Sequence, residues 1–431
     1  MTYSESILKL LSSISADTGD VLSVVSRGRS YRGTLMPHHD LSSPDVLIIK
    51  LGSGYNVGVR IYGDSTAEVV GKHAAEAVTE ATAECVQGLP RVAVIGAGGT
   101  ISSRMDRVTG TVRPMLSASA VAAAAPEVSR IACIEARSLF SLFSDSMDSG
   151  HWQELARAAA AAMDGGAEGI VILHGTDTMG YTAAALSFML QGASCPVVLV
   201  GAQRSSDRPS SDAPSNLTAA VRFCVDGGRK GVFVVMHDTL GDDSFAVHLG
   251  TRVRKMHTSR RDAFRSSDSM PVAHIDADGR ITYNDCMSEP AREPELKDAM
   301  EKRTLLLQAY PGMDPAVFED AVMGSRGVVI AGFGMGHTGT AMIPLVKKAC
   351  DAGITVVIAS QCLGGTTDLT MYETGRALLQ AGAVPAGDML PETAYVKLMW
   401  ALANHDGAEE VGRIMQTPLA GEMSDRRTAD V

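Results

Sequence analysis

Apolar and polar positions divide this chain into two kinds of pattern. Between residues 19 and 62, short apolar runs such as Val21-Leu22, Val46-Leu47-Ile48-Ile49 and Val57-Gly58-Val59 are broken by turns, with Gly52-Ser53-Gly54 reading as a hairpin turn. Short strands at that spacing predict a small antiparallel barrel or curled sheet. Residues 64–90, rich in Ala, Glu and Thr and without an apolar stripe, read as a partly helical linker closing at Gly88-Leu89-Pro90.

From Arg91 the pattern changes to buried-type strands alternating with helical periods. Strands are predicted at residues 92–95, 131–134, 170–173, 197–200 and 232–236, with helices near 151–163, 182–190 and 216–225. This is the βα alternation of a parallel sheet. After a polar, turn-rich region at 285–303, strands at 305–309, 327–330 and 354–358 predict a second, smaller α/β unit. The expected organisation is a β-barrel-like domain (1–63), a linker (64–90), a large α/β domain (91–300) and a smaller one (301–431).

Composition narrows the class. The chain has 431 residues, 45% hydrophobic and 20% charged, with a net charge of −11. That length suits two or three domains, and the acidic balance argues against non-specific nucleic-acid affinity over the whole surface. Seven scattered cysteines without C-x-x-C spacing indicate neither a disulfide framework nor a zinc site, which fits a reducing cytoplasm. No segment reads as a signal peptide or a membrane span.

Two strings then carry the chemistry. Gly98-Gly99-Thr100 follows the strand Val92-Ala93-Val94-Ile95, and His174-Gly175-Thr176-Asp177-Thr178 follows Ile170-Val171-Ile172-Leu173. Each puts a threonine beyond the carboxyl end of a strand, where open parallel sheets bind ligands. Gly96-Ala97-Gly98-Gly99-Thr100-Ile101 has Ile101 where a dinucleotide fingerprint needs glycine. These glycines instead suit close backbone approach, exposing the Thr100 hydroxyl beside N–H groups that would stabilise an oxyanion.

Each element has an ordinary alternative. Thr100 in a glycine turn would serve as a helix cap, Asp177 as the N-cap of the helix near Thr182, and Lys255, in the charge run 252–264, as part of a solvated loop. A lysine beside a Thr-Asp pair would instead hold or remove a hydroxyl proton. Arg204, Asp207, Arg208 and Asp212 read as fixing a loop and capping the helix from Asn216, or as an interface. Cys362 reads as a packed core cysteine.

These motifs resemble those of the bacterial-type asparaginase and glutaminase amidohydrolases. Within them, the 202–212 and 254–264 segments, the barrel-like 19–59 and the 378–397 region are similar to the archaeal glutamyl-tRNA(Gln) amidotransferase D subunits. The resemblance covers nearly the whole chain. It implies a two-domain asparaginase-like α/β fold with parallel sheets behind a small antiparallel β-barrel-like domain.

The implied chemistry is release of ammonia from glutamine or asparagine. Thr100 is the implied nucleophile, forming an acyl-enzyme that water hydrolyses. Lys255 and Asp177 would tune the protonation of Thr176, which positions water or polarises the substrate, while Asp177 meets the substrate's α-ammonium. Ser144, in Ser144-Asp145-Ser146-Met147, and Gly175 are the implied substrate-binding residues.

No cofactor or metal is implied on this chain. ATP with Mg is expected on the partner, the amidotransferase E subunit, which would also carry most of the contact with Glu-tRNA(Gln). A homodimer of this chain within a heterotetramer is implied, and no membrane. Consistent with this, the only Gly-Lys pair, Gly71-Lys72, lacks the upstream glycine of a phosphate loop.

One departure stands out. Where the family carries a loop tyrosine that helps activate the nucleophile, this chain reads Asp106-Arg107-Val108-Thr109-Gly110. Activation of Thr100 would then fall to the Lys255 constellation or to a hydroxyl brought in on partner binding, or would be only weak. The alternative functions are a free-standing asparaginase or glutaminase, and a binding role with lost catalysis.

Overall fold

The computed structural model describes residues 3–36, 38, 43–52, 56–72, 88–105, 112–114, 117–123, 125–205, 211–284 and 292–424. The Gly52-Ser53-Gly54 turn, most of the expected linker, the Arg107 loop, Asp207 and Arg208 therefore lie wholly or partly outside the described residues.

After helix α1 (Glu5–Ser13), strands β1 (Val21–Ser26), β2 (Arg29–Leu35), β3 (Val46–Leu51), β4 (Asn56–Arg60) and β5 (Thr66–Gly71) form one antiparallel sheet in the order β4-β3-β2-β1-β5. Alternate residues Leu22, Val24, Leu47 and Ile49 point into a small core that Ile7 of α1 closes. Residues 66–71, expected to belong to the linker, instead pair with β1. Every second side chain of β5 is exposed, so its apolar stripe is too thin to read as a strand.

The large domain begins with β6 (Arg91–Gly98), a short antiparallel pair β7 (Ser103–Met105) and β8 (Val112–Pro114), helices α2 (Ala118–Ala123) and α3 (Val128–Ile131), and β9 (Cys133–Leu142). Then come α4 (Ser149–Asp164), β10 (Gly169–Leu173), α5 (Met179–Met189), the two-residue β11 (Leu190–Gln191), β12 (Pro196–Val200), α6 (Ala213–Asp226) and β13 (Gly231–His237). The parallel strands lie in the order β9-β6-β10-β12-β13. In that order the winding reverses between β6 and β10, which opens a crevice at their carboxyl ends.

Three further strands, β14 (Ser244–Leu249), β17 (Ala273–Asp276) and β18 (Ile281–Tyr283), extend this sheet antiparallel, and β15 (Val253–Lys255) pairs with β16 (Phe264–Ser266) in a separate hairpin. The sheet is thus mixed. The charge run read as a solvated loop is this hairpin: Val253 and Phe264 are buried, Arg252 and Asp262 are buried with them, and only the tip at residues 256–260 is exposed.

Strand β6 shows how the layers form. Ala93 and Ile95 face one core with α4 and α5, while Val92 and Val94 face another with α6. Both faces are covered, as parallel sheets require.

β19 (Glu295–Leu296) pairs with β11. The smaller domain then stacks β20 (Thr304–Gln308), β21 (Gly327–Gly332), β22 (Thr355–Ser360) and β23 (Val384–Pro385) in parallel, with α7 (Pro315–Met323), α8 (Ile343–Asp351), α9 (Glu373–Gln380), α10 (Pro391–Asn404) and α11 (Ala408–Met415). Helix α5 is apolar on nearly all sides because it lies between the large sheet and α10, where Phe188 stacks on Trp400.

Two cysteine readings change. Cys362 is exposed in the loop beyond β22, since the buried strand ends at Ser360. Cys133 is disulfide-bonded, whereas Cys195, Cys224, Cys350 and Cys362 are free. No helix among the described residues is long and apolar enough to cross a membrane.

Candidate active site

The site forms where β6 and β10 end. Gly98 and Gly99 take φ values of +96° and +80°, a region open to glycine at little cost. The Gly99 N–H donates to Leu142 O at 2.8 Å. A Cβ on Gly99 would lie 2.2 Å from Gly175 N, so the two strand exits touch through backbone alone. Thr100 follows at once, half-buried, as the first residue of a 3-10 turn over Thr100–Ser102.

Beyond β10, His174 is fully buried and its N–H donates to Val200 O at 2.9 Å. Thr176 is 5% exposed, backed by Gly201, where a Cβ would lie 2.8 Å from Thr176 Cγ2. The Lys255 ammonium, at the end of β15, donates to Thr176 Oγ1 at 2.8 Å and to Asp177 Oδ1 at 2.7 Å. Lys255 is largely buried whereas the Asp177 side chain is 74% exposed. Since the Thr176 hydroxyl accepts from Lys255, its own proton is turned toward another acceptor.

Ser144 opens a 3-10 turn after β9, and its carbonyl accepts from Thr178 Oγ1 at 2.6 Å. A Cβ on Gly175 would meet Ser144 Cβ and Oγ, each at 2.7 Å. Ser144, Gly175, Thr176, Asp177 and Lys255 are therefore linked by direct contacts, and Thr100 joins them through Gly99. The capping alternative for Asp177 does not hold: Thr178 occupies the N-cap position of α5, and Asp177 faces Lys255.

Asp212 occupies the N-cap position of α6, but its side chain fixes the preceding loop and makes no capping hydrogen bond. Its carboxylate accepts from Gln203 N, Arg204 N and Asn216 Nδ2. Asn216 Oδ1 contacts His237 Nδ1 at 2.6 Å, and His237 Nε2 lies 2.8 Å from Asp242 Oδ1, to which Arg261 of the Lys255 hairpin also donates. Burial pushes the Asp242 carboxyl up, but the His237 hydrogen bond and the Arg261 charge outweigh it and hold it below the usual carboxylate range. The network ties the Lys255 hairpin to the loop behind Thr176.

Gly201, Trp152 and Thr182 were not singled out by sequence. Trp152 Nε1 donates to Thr182 Oγ1 at 3.0 Å, and Thr182 Oγ1 lies 2.9 Å from His174 Nε2. The only local signal was a glycine directly after strand β12; nothing near Trp152 marks it. Among the described residues no cluster of His, Cys, Asp and Glu is placed to hold a metal ion.

Comparison with known proteins places these residues in a family context. Residues 16–70 match the GatD N-terminal domain, 91–287 the N-terminal asparaginase domain and 303–415 the glutaminase/asparaginase C-terminal domain. The chain is 47% identical over 399 residues to the D subunit of glutamyl-tRNA(Gln) amidotransferase from Pyrococcus furiosus, covering 91% of each chain. It is 46% identical to the D subunit from Thermococcus kodakarensis, covering 94% of each.

Among solved structures, the thermostable L-asparaginase from Thermococcus kodakarensis superposes with a TM-score of 0.71 at 34% identity, covering 78% of this chain and all of that one. L-asparaginase I from Vibrio cholerae gives 0.68 at 29% identity, covering 78% of this chain and 99% of that one.

Proposed function

Because the chain belongs to the family of glutamyl-tRNA(Gln) amidotransferase D subunits, with an asparaginase-type amidohydrolase domain, we propose that it releases ammonia from glutamine, or asparagine, through a Thr100 acyl-enzyme. The Thr100 Oγ–C bond forms as the amide C–N bond breaks, ammonia leaves with the proton it gains, and water then frees the acid. The observation that carries this reading is the Lys255 ammonium held on both Thr176 Oγ1 and Asp177 Oδ1, one residue from the Gly99–Gly175 contact that delivers Thr100.

Thr176 polarises the substrate or water. Asp177 Oδ1 is taken by Lys255, and the exposed carboxylate offers Oδ2 to the substrate's α-ammonium. Ser144 and Gly175, which touch from two separate turns, would bind the substrate. We assign ATP with Mg to the partner E subunit, since this sequence has no phosphate loop. There the ammonia meets activated Glu-tRNA(Gln), and most of the tRNA contact belongs to that partner. A homodimer of this chain with two partner subunits is the assembly that fits this division of labour.

The test uses the full chain with its partner. Thr100→Ala is expected to lower glutamine hydrolysis and glutamine-dependent Gln-tRNA formation by at least about a thousandfold, while added ammonium salt still supports conversion. Hydrolysis that survives Thr100→Ala refutes the nucleophile. Hydrolysis by the lone chain, with no conversion in either combination, would favour a free-standing asparaginase or glutaminase.

A further inference from the structure

Behind the Thr176 turn runs a buried chain of hydrogen bonds. The Gly175 carbonyl only accepts, so His174 Nδ1, at 2.7 Å, carries the proton. Burial pushes the His174 ring down to about 4, outweighing the Gly175 hydrogen bond, so it is neutral near pH 7 and Nε2 bears a lone pair. Thr182, at 2.9 Å, therefore donates its one proton to Nε2 and accepts from Trp152 Nε1–H at 3.0 Å.

Trp152 Nε1, His174 Nδ1 and His174 Nε2 each make one of these bonds and Thr182 Oγ1 makes two, and the side chains of His174 and Thr182 are fully buried with Trp152 at 6% exposure. Trp152 and Thr182 both sit near helix starts. Trp152 lies one turn inside α4, whose Asp148 cap accepts from Gly150 and His151 N–H, and Thr182 lies in the first turn of α5.

We infer that Trp152, Thr182 and His174 form a positioning chain for the reaction, holding the Gly175–Thr176 peptide so that Thr176 stays in register with Lys255. This rests on the reading of Thr176 and Lys255 as working groups. The peptide is trans, so a carbonyl pinned toward His174 turns the Thr176 N–H away from the buried ring. Valine at 182 would fill the same volume but leave Trp152 Nε1–H and His174 Nε2 without their partner. The hydroxyl gives the buried indole N–H its acceptor and sets the His174 tautomer, and that tautomer holds the carbonyl.

The test compares Thr182→Val, Thr182→Ser and Trp152→Phe in the full chain with its partner, alongside Lys255→Met. Thr182→Val is expected to lower kcat for glutamine hydrolysis on the order of tenfold to a hundredfold with KM little changed. Thr182→Ser restores it, and Trp152→Phe gives a smaller loss. Nitrogen NMR of histidine-labelled wild type should show His174 as the Nδ1–H tautomer near neutral pH, a readout that needs no variant to fold.

A wild-type Nε2–H tautomer overturns the inference, as does Thr182→Val with kcat within about twofold of wild type. Lys255→Met inactive with Thr182→Val fully active overturns the positioning chain alone. Lys255→Met fully active overturns the site reading and the inference with it.

Discussion

The Lys255 ammonium lies 2.8 Å from Thr176 Oγ1, across a gap of 79 residues in the chain. A hairpin buried by Phe264 carries the lysine, and a strand exit carries the threonine. Lys255→Met keeps the aliphatic stem and removes the donor. Glutamine hydrolysis is expected to fall by about 10²- to 10⁴-fold, with thermal stability near wild type. Steady-state kinetics check it, and a loss confined to KM would contradict a role in the chemical step.

Gly175 and Ser144 are in contact at a distance no side chain tolerates. Gly175→Ala would place a methyl 2.7 Å from Ser144 Cβ, an overpacking worth about 1–3 kcal/mol, and Tm should drop accordingly. Adding Ser144→Gly removes the colliding atoms and should recover most of that loss. Failure of the second change to raise Tm would mean the strain lies elsewhere.

The Lys397–Glu422 pair is fully buried at 2.5 Å, with Glu422 also accepting from Leu419 and Ala420 N–H. Burial draws the Lys397 pKa down against the pull of Glu422. Glu422→Ala strands the charge and is expected to cost about 3–5 kcal/mol. Lys397→Met with Glu422→Gln, which retains an acceptor for the amides, should be much milder. Equal denaturation midpoints for the two variants would disprove this.

Acid sensitivity follows from two buried rings. Burial pushes His174 from 6.5 down to about 4 and His248 down to about 3, the latter aided by the charges of Arg265 and His274. Unfolded histidines take up protons near 6.5 while the folded ones do not. Stability is therefore full above 6.5 and lost as pH falls toward 4 for His174 and 3 for His248, by a few kcal/mol each. Urea midpoints should decline through that window, and His248→Gln should flatten the decline; a pH-independent midpoint in wild type would be the contrary result.

The sequence by itself determined four of the five parallel strands and the motifs at their ends; the strand expected at 131–134 is instead β9 (Cys133–Leu142), because α3 runs through Ile131. Residues 170–173 and 197–200 are apolar throughout because both sheet faces are covered, and that is visible in any window of the chain. The same holds for Gly98-Gly99 and the Thr176-Asp177 string, whose residue types are locally constrained. β5, β17 and β18 escaped notice because half or more of their positions are not buried, and β14, though nearly all buried, because Ser244 and His248 cut its apolar run to Phe245-Ala246-Val247.

Only the tertiary structure decided which groups meet. Lys255 reaches Thr176, Gly175 presses on Ser144, and Trp152 joins Thr182 and His174, each pair drawn from separate elements. Periodicity reports which face of an element is buried, a local property. Long-range contacts depend on how the sheet winds and where helices settle on it, and a lone Trp152 or Gly201 leaves no mark of its partner in the residues beside it.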